Sequence, residues 1–369
     1  MISETKPSGI KTAILLLNMG GPESPEEVHP YLKELFQDRE LLRLPAQKIL
    51  GNFIAWRRTP FIQQRYEELG QYSPTRKIME DQGKRIAALL DKTSPATAPH
   101  ACVPGFRYAV PRTATEIERF RDAENIILFS HYPQHSCSTS GSSLCDAYRW
   151  LKDKNELKKK ISVIDRWWDR EDYTDLWADL IEKKFREFKD NHNLNDEDIL
   201  ILYSAHSLPE AYCFEKGDRY NQEIEGSVRN IEAKLASLGM KHGHALGWQS
   251  KVGPKKTKWL SPSTPEVISK TSEKAILIVP IAFTTDHIET LDEIDIEFRE
   301  YVEEAGKLFC RAECFNLEDS FIQLCVKLIE EHIEGNLLSS IRPCCENCVG
   351  NDCASMRSFF SSSPIHYPS

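Results

Sequence analysis

The amino-acid sequence lacks several features that would assign it to a class directly. Its 47 lysines and arginines are outnumbered by 56 aspartates and glutamates, and the net charge of -9 argues against a general nucleic-acid-binding surface. No apolar run approaches the roughly 20 residues that a membrane-spanning helix requires. The first nine residues, MISETKPSG, have neither an apolar core nor an arginine, so we expect neither a signal peptide nor a transit peptide in them.

Motifs for nucleotide phosphates are also missing. The chain contains no G-x-G-x-x-G and no G-x-x-x-x-G-K-[ST], so a dinucleotide site or a P-loop is not supported. It has no long low-complexity linker and no repeat clear enough to align. Its 369 residues, 40% of them hydrophobic, suffice for a sizeable core and for two domains or two fused halves, which we expect to pack tightly.

Cysteine, by contrast, is abundant and unevenly distributed. Four of the eleven cysteines fall within the segment PCCENCVGNDC, a clustering that favours a metal or iron–sulfur site over disulfides in a large intracellular chain. Cys345, Cys348 and Cys353 have metal-ligand spacing. A closed site needs a fourth thiolate, for which Cys137 is a distant candidate. A [2Fe–2S] cluster and structural zinc would use the same set of cysteines, so the spacing alone does not identify the metal. Cys344 could also take the place of Cys345 as a ligand.

Short apolar runs alternate with segments of helical period along the chain. Buried strands are predicted at 13–17, 126–130, 199–204 and 275–280, and helices at 28–36, 81–91, 173–188 and 320–335. This alternation is typical of an α/β fold in which parallel sheets are covered by helices on both faces. We therefore expect two similar doubly wound halves.

The expected division of the chain follows from this doubling. It consists of a tail (1–9), an N-terminal half (10–158), a C-terminal half (159–316), a helix (317–340) and a cysteine-rich tail (341–369). In such sheets ligands bind beyond the carboxyl ends of the strands. The loops there read NMGGPE, HYPQHSCSTSGSSL, AHSLPE and IAFTTDHIETLDE, and three of these four carry histidine.

Three polar residues in these loops are candidates for chemistry. His206 follows a predicted strand, and histidine is the default general base near neutral pH, although a histidine that caps a turn would have the same context. His287 and Glu289 follow the strand that ends at Pro280. If the two strand ends point into one cleft, these imidazole and carboxylate groups suit a divalent transition metal.

An acidic stripe continues from Glu289. Glu289, Glu293 and Glu297 lie four residues apart, so a helix would align them, and like charges at this spacing repel by a few tenths of a kcal/mol per pair. One interpretation is an ordinary amphipathic helix, whose apolar side carries Ile288, Leu291, Ile294 and Phe298. The other is a stepwise path for protons, in which mutual repulsion raises some of the carboxyl pKa values.

Two further segments combine apolar or aromatic residues with arginine. Residues 41–66 are rich in large apolar side chains and carry Arg57 and Arg58. They form either a core helix with a cationic end or an exposed apolar lip that contacts a membrane or an apolar ligand. In the second case the arginines would bind carboxylates or lipid phosphates. The segment GFRY places Arg107 between two aromatic residues, which is typical of a surface lining a planar ligand but also of an ordinary strand.

Together these motifs resemble the ferrochelatase family, whose members insert ferrous iron into protoporphyrin IX in the terminal step of haem biosynthesis. The matching segments, in the family's order between residues 10 and 360, are NMGGPE, FIAWRRTP, GFRY, YPQHSCSTSGSS, SAHSLP, WQSKVGP and VPIAFTTDHIET. The resemblance implies two doubly wound halves with the porphyrin in a cleft between them. It also implies that two protons are released for each protohaem formed.

The resemblance further implies roles for single residues. His206 matches the catalytic histidine that takes a proton from a pyrrole nitrogen or, in another interpretation, binds the metal. His287 and Glu289 match the residues that face it, and Glu293 and Glu297 match an acidic line that carries protons or metal. The matches to residues of the porphyrin pocket, its propionate contacts and its lip are Met19, Arg58, Tyr66, Ser73, Arg107, Tyr108, Lys251, Trp259 and Phe283.

The C-terminal cysteines, followed by SFF, resemble the cluster-bearing animal-type branch of the family. This resemblance implies a homodimer at the matrix side of the mitochondrial inner membrane, with residues 41–58 facing the membrane. For a bacterial chain the corresponding expectation is a cytoplasmic or membrane-associated protein. The implied ligands of a [2Fe–2S] cluster are Cys137, Cys345, Cys348 and Cys353.

The chain departs from the family pattern in two places. The residues KKTK separate Pro254 from Trp259, where the family usually has two residues, so the sequence leaves the exact position of Trp259 open. Cys344 and Cys145 are additional thiols with no implied role. The alternatives from other classes are an inactive porphyrin or haem carrier, a chelatase for another metal, and an iron–sulfur electron carrier.

Overall fold

Two parallel four-stranded sheets form the framework of the described residues, 9–251, 256–335 and 351–361 of this computed structural model. The strands of the first sheet are β1 (Thr12–Asn18), β2 (His100–Phe106), β3 (Asn125–Ser130) and β4 (Ile161–Ile164), in the order β2-β1-β3-β4. The strands of the second are β5 (Ile199–His206), β6 (Gly243–Gln249), β7 (Ala275–Val279) and β8 (Leu308–Arg311), in the order β6-β5-β7-β8. The repeated order confirms the prediction of two similar doubly wound halves.

Helices connect the strands. In chain order they are α1 (Pro25–Gln37), α2 (Gln47–Glu68), α3 (Thr75–Thr93), α4 (Thr113–Arg119), α5 (Ser142–Leu151), α6 (Asn155–Lys158), α7 (Glu171–His192), α8 (Glu210–Phe214), α9 (Tyr220–Ser237), α10 (Thr264–Lys270), α11 (Arg299–Glu304), α12 (Asp319–Ile333) and α13 (Asn351–Ser361). Wider π-type turns form at Cys137–Gly141 and Glu289–Phe298. Among the described helices, none is long and apolar enough to cross a membrane.

The strands predicted from sequence are the central strands of both sheets, namely β1, β3, β5 and β7. A central parallel strand is covered on both faces, so its sequence is a continuous apolar run such as AILLL or AILIV. The four strands that were not predicted lie at the edges and carry polar residues or breakers, such as Pro104 in β2 and His244 in β6. The four predicted helices correspond to α1, α3, α7 and α12.

The chain folds as two compact units. One unit contains the described residues up to Arg166 together with those from Asn316 onward, and the other is Trp167–Phe315. The boundary predicted at residue 158 lies before β4, yet β4 pairs with β3 of the first sheet. The helix predicted at 317–340 belongs to the first unit, because α12 packs against α3 and the Gln82 side chain donates to the Asn316 carbonyl at 2.6 Å.

Candidate active site

His206 is the last residue of β5 and lies beside Gln249, the last residue of β6. Both occupy the carboxyl edge of the second sheet, where ligands bind in open α/β sheets. Burial lowers the pKa of His206, and the negative charge of Glu289 opposes that shift. The imidazole is therefore neutral near pH 7, the form that accepts a proton, and the Glu289 carboxylate lies within electrostatic reach of it.

The acidic stripe lies on a π-helix at Glu289–Phe298, whose hydrogen bonds span five residues instead of the four of the expected α-helix. Ile294 and Phe298 are buried against β5 and β7, whereas Ile288 and Leu291 are only partly buried. Two of the four residues expected on the apolar side of this helix are therefore part of the hydrophobic core. π-Type turns are rare in proteins as a whole, and those that occur are often located at functional sites.

Glu293 is held by donors from the end of β6. The Ser250 backbone N–H donates to Glu293 Oε1 at 2.6 Å, and the Ser250 hydroxyl and Gln249 Nε2 donate to Oε2, the latter at 3.1 Å. Burial raises the pKa of Glu293 to about 7, against the effect of the Ser250 hydrogen bonds, and the charge of Glu289 adds to the rise. The expected repulsion between glutamates of the stripe thus contributes to the raised pKa of Glu293, but burial is the larger cause of that rise.

Gln249 connects the sheet to the acidic stripe. The Ser204 hydroxyl donates to Gln249 Oε1 at 2.6 Å, so the amide is oriented with its Nε2 toward the π-helix. There it also donates to the Glu289 carbonyl at 3.3 Å. Neither Gln249 nor Ser250 was predicted as a site residue; the only sequence signal was their place in WQSKVGP.

His287 has a defined orientation in the loop after β7. Its Nδ1 lies 2.7 Å from the Thr285 carbonyl, which can only accept, so the neutral ring carries its proton on Nδ1 and its lone pair on Nε2. The ring of Phe283 lies 5.8 Å from the His287 ring. An imidazole fixed through one nitrogen is typical of metal ligands and of catalytic histidines.

Arg311, at the end of β8, anchors this loop and the π-helix. Its guanidinium contacts Asp286 at 3.2 Å and Asp295 at 2.7 and 2.9 Å. Burial lowers the pKa of Arg311, but the hydrogen bond with Asp295 and the charges of both aspartates raise it overall. The paired charges therefore fix the segment that carries His287 and Glu289.

The remaining predicted residues of the second unit lie near its surface. Glu297 accepts a hydrogen bond from the Tyr301 hydroxyl at 2.8 Å, and Lys251 is exposed next to Ser250. Trp259 bridges to Pro209 in the loop after His206. Backbone hydrogen bonds on both sides accompany this bridge, from Glu210 N–H to the Lys258 carbonyl and from Leu260 N–H to the Leu208 carbonyl.

In the first unit, Arg107 and Tyr108 follow β2 and converge on Asp38. Arg107 lies 3.0 Å from Asp38 Oδ2, and the Tyr108 hydroxyl donates to the same oxygen at 2.6 Å. Ser142 donates to Asp38 and accepts from Arg107 Nε at 3.0 Å. All four side chains are buried, and Asp38 had no sequence signal that marked it.

Asp38 and Glu40 are two neighbouring acids that share a hydrogen bond. Burial raises the pKa of Asp38, but a hydrogen bond with Glu40 and the charge of Arg107 outweigh it and hold the pKa at about 2. Burial and the proximity of Asp38 raise the pKa of Glu40 to about 7. Asp38 therefore neutralises Arg107, whereas Glu40, which also pairs with Arg149, is partly protonated near pH 7.

The predicted pocket residues Met19 and Ser73 pack around the NMGGPE loop. The Met19 carbonyl accepts from Tyr108 N at 3.1 Å, and the Ser73 N–H donates to the Pro22 carbonyl at 3.0 Å. Gly20 has a φ of +78°, and a Cβ there would lie 2.6 Å from Ala109 Cβ, so glycine is required for this close approach.

Helix α2 carries the predicted lip. Ile49, Phe53 and Trp56 are 74%, 52% and 65% exposed, which contradicts the core-helix interpretation of this segment and agrees with the exposed one. Arg58 is partly buried, and burial lowers its pKa. Tyr66 is buried and stacks on Tyr72 with ring centres 5.0 Å apart.

Two of the four predicted cluster ligands are described. Cys137 begins the turn before α5, and Cys353 on α13 is buried among residues of α5 and the first sheet. Cys345 and Cys348, like the additional Cys344, lie outside the described residues. No disulfide joins the cysteines of the described part.

Cys145 on α5 is the immediate neighbour of Cys353. The two sulfurs lie 3.8 Å apart, and this contact together with burial raises the pKa of the Cys145 thiol. Two thiolates on one tetrahedral metal with bonds of ~2.3 Å would lie ~3.8 Å apart. Cys353, one of the predicted cluster ligands, therefore has a second buried sulfur, that of Cys145, at a distance that two ligands of one metal could have.

Comparison with known proteins agrees with these motifs. The sequence model of the ferrochelatase family matches residues 11–333. Mitochondrial ferrochelatase of Gallus gallus is 42% identical over 365 residues, which cover 96% of this chain and 89% of that protein. The Homo sapiens enzyme is also 42% identical, covering 96% and 84%, and that of Drosophila melanogaster is 38% identical, covering 95% and 91%. The chain therefore belongs to the ferrochelatase family.

Proposed function

We propose that this chain inserts ferrous iron into protoporphyrin IX, giving protohaem and two protons, with the chemistry at the carboxyl edge of its second sheet. Membership of the ferrochelatase family supports the reaction, the terminal step of haem biosynthesis. The observation that carries the residue assignment is the combination of a neutral His206 with the buried acid Glu293, whose pKa is about 7.

His206 acts as the general base. Metallation exchanges two pyrrole protons for one dication, so the ring centre changes little in net charge while two protons must leave. A neutral imidazole at the strand end takes the first of these protons. The adjacent charge of Glu289 stabilises the imidazolium that forms, because it raises the pKa of His206 against burial.

Glu293 carries protons away from the reacting centre. With a pKa of about 7, it gains and loses a proton at little free-energy cost near neutral pH. A carboxyl group that is partly protonated is a poor metal ligand, because metals bind the ionised form. We therefore assign Glu293 to proton exit. The family resemblance extends this path to its stripe neighbours Glu289 and Glu297, and we assign the oriented imidazole of His287 to the approach of iron.

The porphyrin contacts are proposed from the family pattern. Arg58 and Lys251 supply the cations for the propionates, since the charge of Arg107 is balanced by Asp38. Arg107 then supports Tyr108 through the stack of its guanidinium over that ring, with 4.9 Å to the ring centre. The other contacts are assigned to Met19, Tyr66, Ser73, Trp259 and Phe283.

Three accessory features complete the proposal. A [2Fe–2S] cluster on Cys137, Cys345, Cys348 and Cys353 fastens the C-terminal tail, as thiolate ligation ties chain segments together. The exposed side chains of α2 contact the surface of the mitochondrial inner membrane from the matrix side. The protein acts as a homodimer, as its resemblance to the animal-type branch suggests.

The test is anaerobic metallation by the full chain, followed by the change from porphyrin to haem absorbance. His206→Ala should slow the reaction by about 10²–10⁴-fold, the usual contribution of a general base. His192→Ala, an exposed histidine on α7 of the same unit, is the control and should react at the wild-type rate. Tight porphyrin binding by wild type without metallation would leave a porphyrin or haem carrier instead. A His206→Ala enzyme of normal rate would refute the assignment of the base.

A further inference from the structure

A second cluster of metal-binding side chains lies in the unit of Trp167–Phe315, apart from the site of His206. Glu232 Oε2 lies 3.0 Å from His242 Nε2 and 3.1 Å from His244 Nδ1. One ligand atom from each of these residues lies within 4.8 Å of the other two. Among the described residues, this is the one group of three or more such side chains with so close an approach.

The local sequence explains why the histidines converge. In KHGHALGW, His242 directly precedes β6 and His244 is its second residue, so the period of two along an extended chain directs both to one face. Glu232 approaches that face from α9. His244 pairs with Ile201, which lies five residues before His206 on β5. The cluster therefore lies at the opposite end of the sheet from His206, roughly 16 Å away along the strand.

The distances suit a metal ion. Ligand atoms ~2.1 Å from a six-coordinate ion lie ~3.0 Å apart when they are adjacent, as the carboxylate oxygen is from each imidazole nitrogen here. Two imidazoles and one carboxylate on one face are the ligand set of divalent iron and zinc sites. The His242 side chain is 3% exposed and that of His244 is 49% exposed, so the cluster has a fixed inner side and an open outer side.

The surroundings orient the ligands. The Tyr203 hydroxyl donates to Glu232 Oε1 at 2.6 Å, and His242 Nε2 lies 3.3 Å from the same oxygen and 3.0 Å from Oε2. Phe185 of α7 packs against His242 with ring centres 5.7 Å apart. The hydrogen bond from Tyr203 is an outer-shell contact of the kind that orients a ligating carboxylate, and the Phe185 ring restricts the rotation of the His242 imidazole.

We propose that Glu232, His242 and His244 bind one divalent first-row transition-metal ion, with water in the remaining positions. The ion joins the edge strand β6 to helix α9. This site is independent of iron insertion, and it stabilises the fold because an ion that binds only the folded chain shifts the folding equilibrium.

The probe is Zn²⁺, added without porphyrin to the full chain carrying its own cluster. Equilibrium dialysis should find one ion fewer per chain in His244→Ala than in wild type. Tyr203→Phe keeps the ring and removes the donor to Glu232. It should lower the affinity for this ion by about 10–100-fold. His192→Ala, which changes an exposed histidine elsewhere in the unit, should bind as wild type does.

Thermal unfolding supplies a second readout. Zn²⁺ should raise the melting temperature of wild type and His192→Ala but not that of His244→Ala. Because His244 is half exposed, its substitution should leave the fold intact, whereas Glu232→Gln carries a greater risk of misfolding. Equal stoichiometry and equal thermal shifts in wild type and His244→Ala would overturn the proposal and identify the group as a hydrogen-bonded trio.

Discussion

The backbone N–H of Ser250 lies 2.6 Å from Oε1 of Glu293, and the hydroxyl of the same serine donates to Oε2. One residue thus supplies two donors to a carboxylate whose burial raises its pKa to about 7. Ser250 has a φ of +61°, in the left-handed region, and in this conformation its N–H and hydroxyl both reach the π-helix. The strained turn after β6 therefore tunes the acid proposed to carry protons.

Glu293→Gln should stabilise the protein at alkaline pH. The folded-state pKa is raised from 4.5 to about 7, so the folded chain binds this proton more tightly than the unfolded chain. The contribution is fully present below pH 4.5 and is lost as the pH rises through 7, a change on the order of 3 kcal/mol. Urea unfolding at pH 5 and pH 8 should therefore show a gain for the variant only at pH 8. Glu297→Gln removes the same charge from the same helix and should not reproduce the gain.

Ser250→Ala should shift the pH dependence of metallation to higher pH. Loss of the hydroxyl removes a donor that favours the ionised carboxylate, so the pKa of Glu293 should rise further above about 7. Ser250→Gly removes the same hydroxyl but tolerates the positive φ. Both variants should shift the initial-rate profile equally, and the glycine variant should be the more stable. If the pH profile is unchanged in both variants, the protonation state of Glu293 does not control the rate of metallation.

Asp38→Asn should destabilise the first unit by about 3 kcal/mol, because it leaves the buried Arg107 without its main counter-charge. The pKa of Asp38 is lowered from 3.8 to about 2, so the stability from this charge is present above pH 3.8 and is lost as the pH falls through 2. Chemical unfolding near pH 7 measures the effect. Asp146→Asn is the matched control, since Asp146 contacts the same arginine at 3.5 Å from a more exposed position, and it should cost much less.

Replacing Phe53 and Trp56 together by serine should weaken binding to phospholipid vesicles by about tenfold or more, since each half-exposed ring contributes on the order of 1–2 kcal/mol when it enters an apolar phase. Co-sedimentation with vesicles of phosphatidylcholine and phosphatidylglycerol measures this partition. Phe214→Ser, which changes a 67% exposed ring on α8, should leave binding unchanged. If the double variant instead alters the oligomeric state, the lip is an interface between subunits.

Cys353→Ala should abolish the iron–sulfur absorbance, whereas Cys145→Ala should retain it. The two sulfurs are 3.8 Å apart and both are buried, so the variants make similar changes at one place. Iron and sulfide content of the purified proteins provides the measurement. Loss of the cluster in Cys145→Ala but not in Cys137→Ala would replace Cys137 by Cys145 in the ligand set.

Much of the architecture was accessible from the sequence because central parallel strands are continuous apolar runs. β1, β3, β5 and β7 were predicted on that basis, and the loops expected after all four contain predicted site residues. The edge strands were not predicted, since one of their sides is less covered and their sequences are mixed. The sequence did not decide whether helix α2 is buried or exposed, because the composition of a segment does not show what covers its apolar side chains.

The sequence by itself determined the family motifs, the position of His206 after a strand and the spacing of the glutamates. Only the tertiary structure decided that the glutamates lie on a π-helix, that Ser250 meets Glu293 from 43 residues away, and that Asp38 neutralises Arg107 from a distant helix end. The trio of Glu232, His242 and His244 likewise arises where α9 meets β6. The physical reason is that pKa values and ligand sets depend on burial and on partners distant in the chain, whereas strand and turn signals are local.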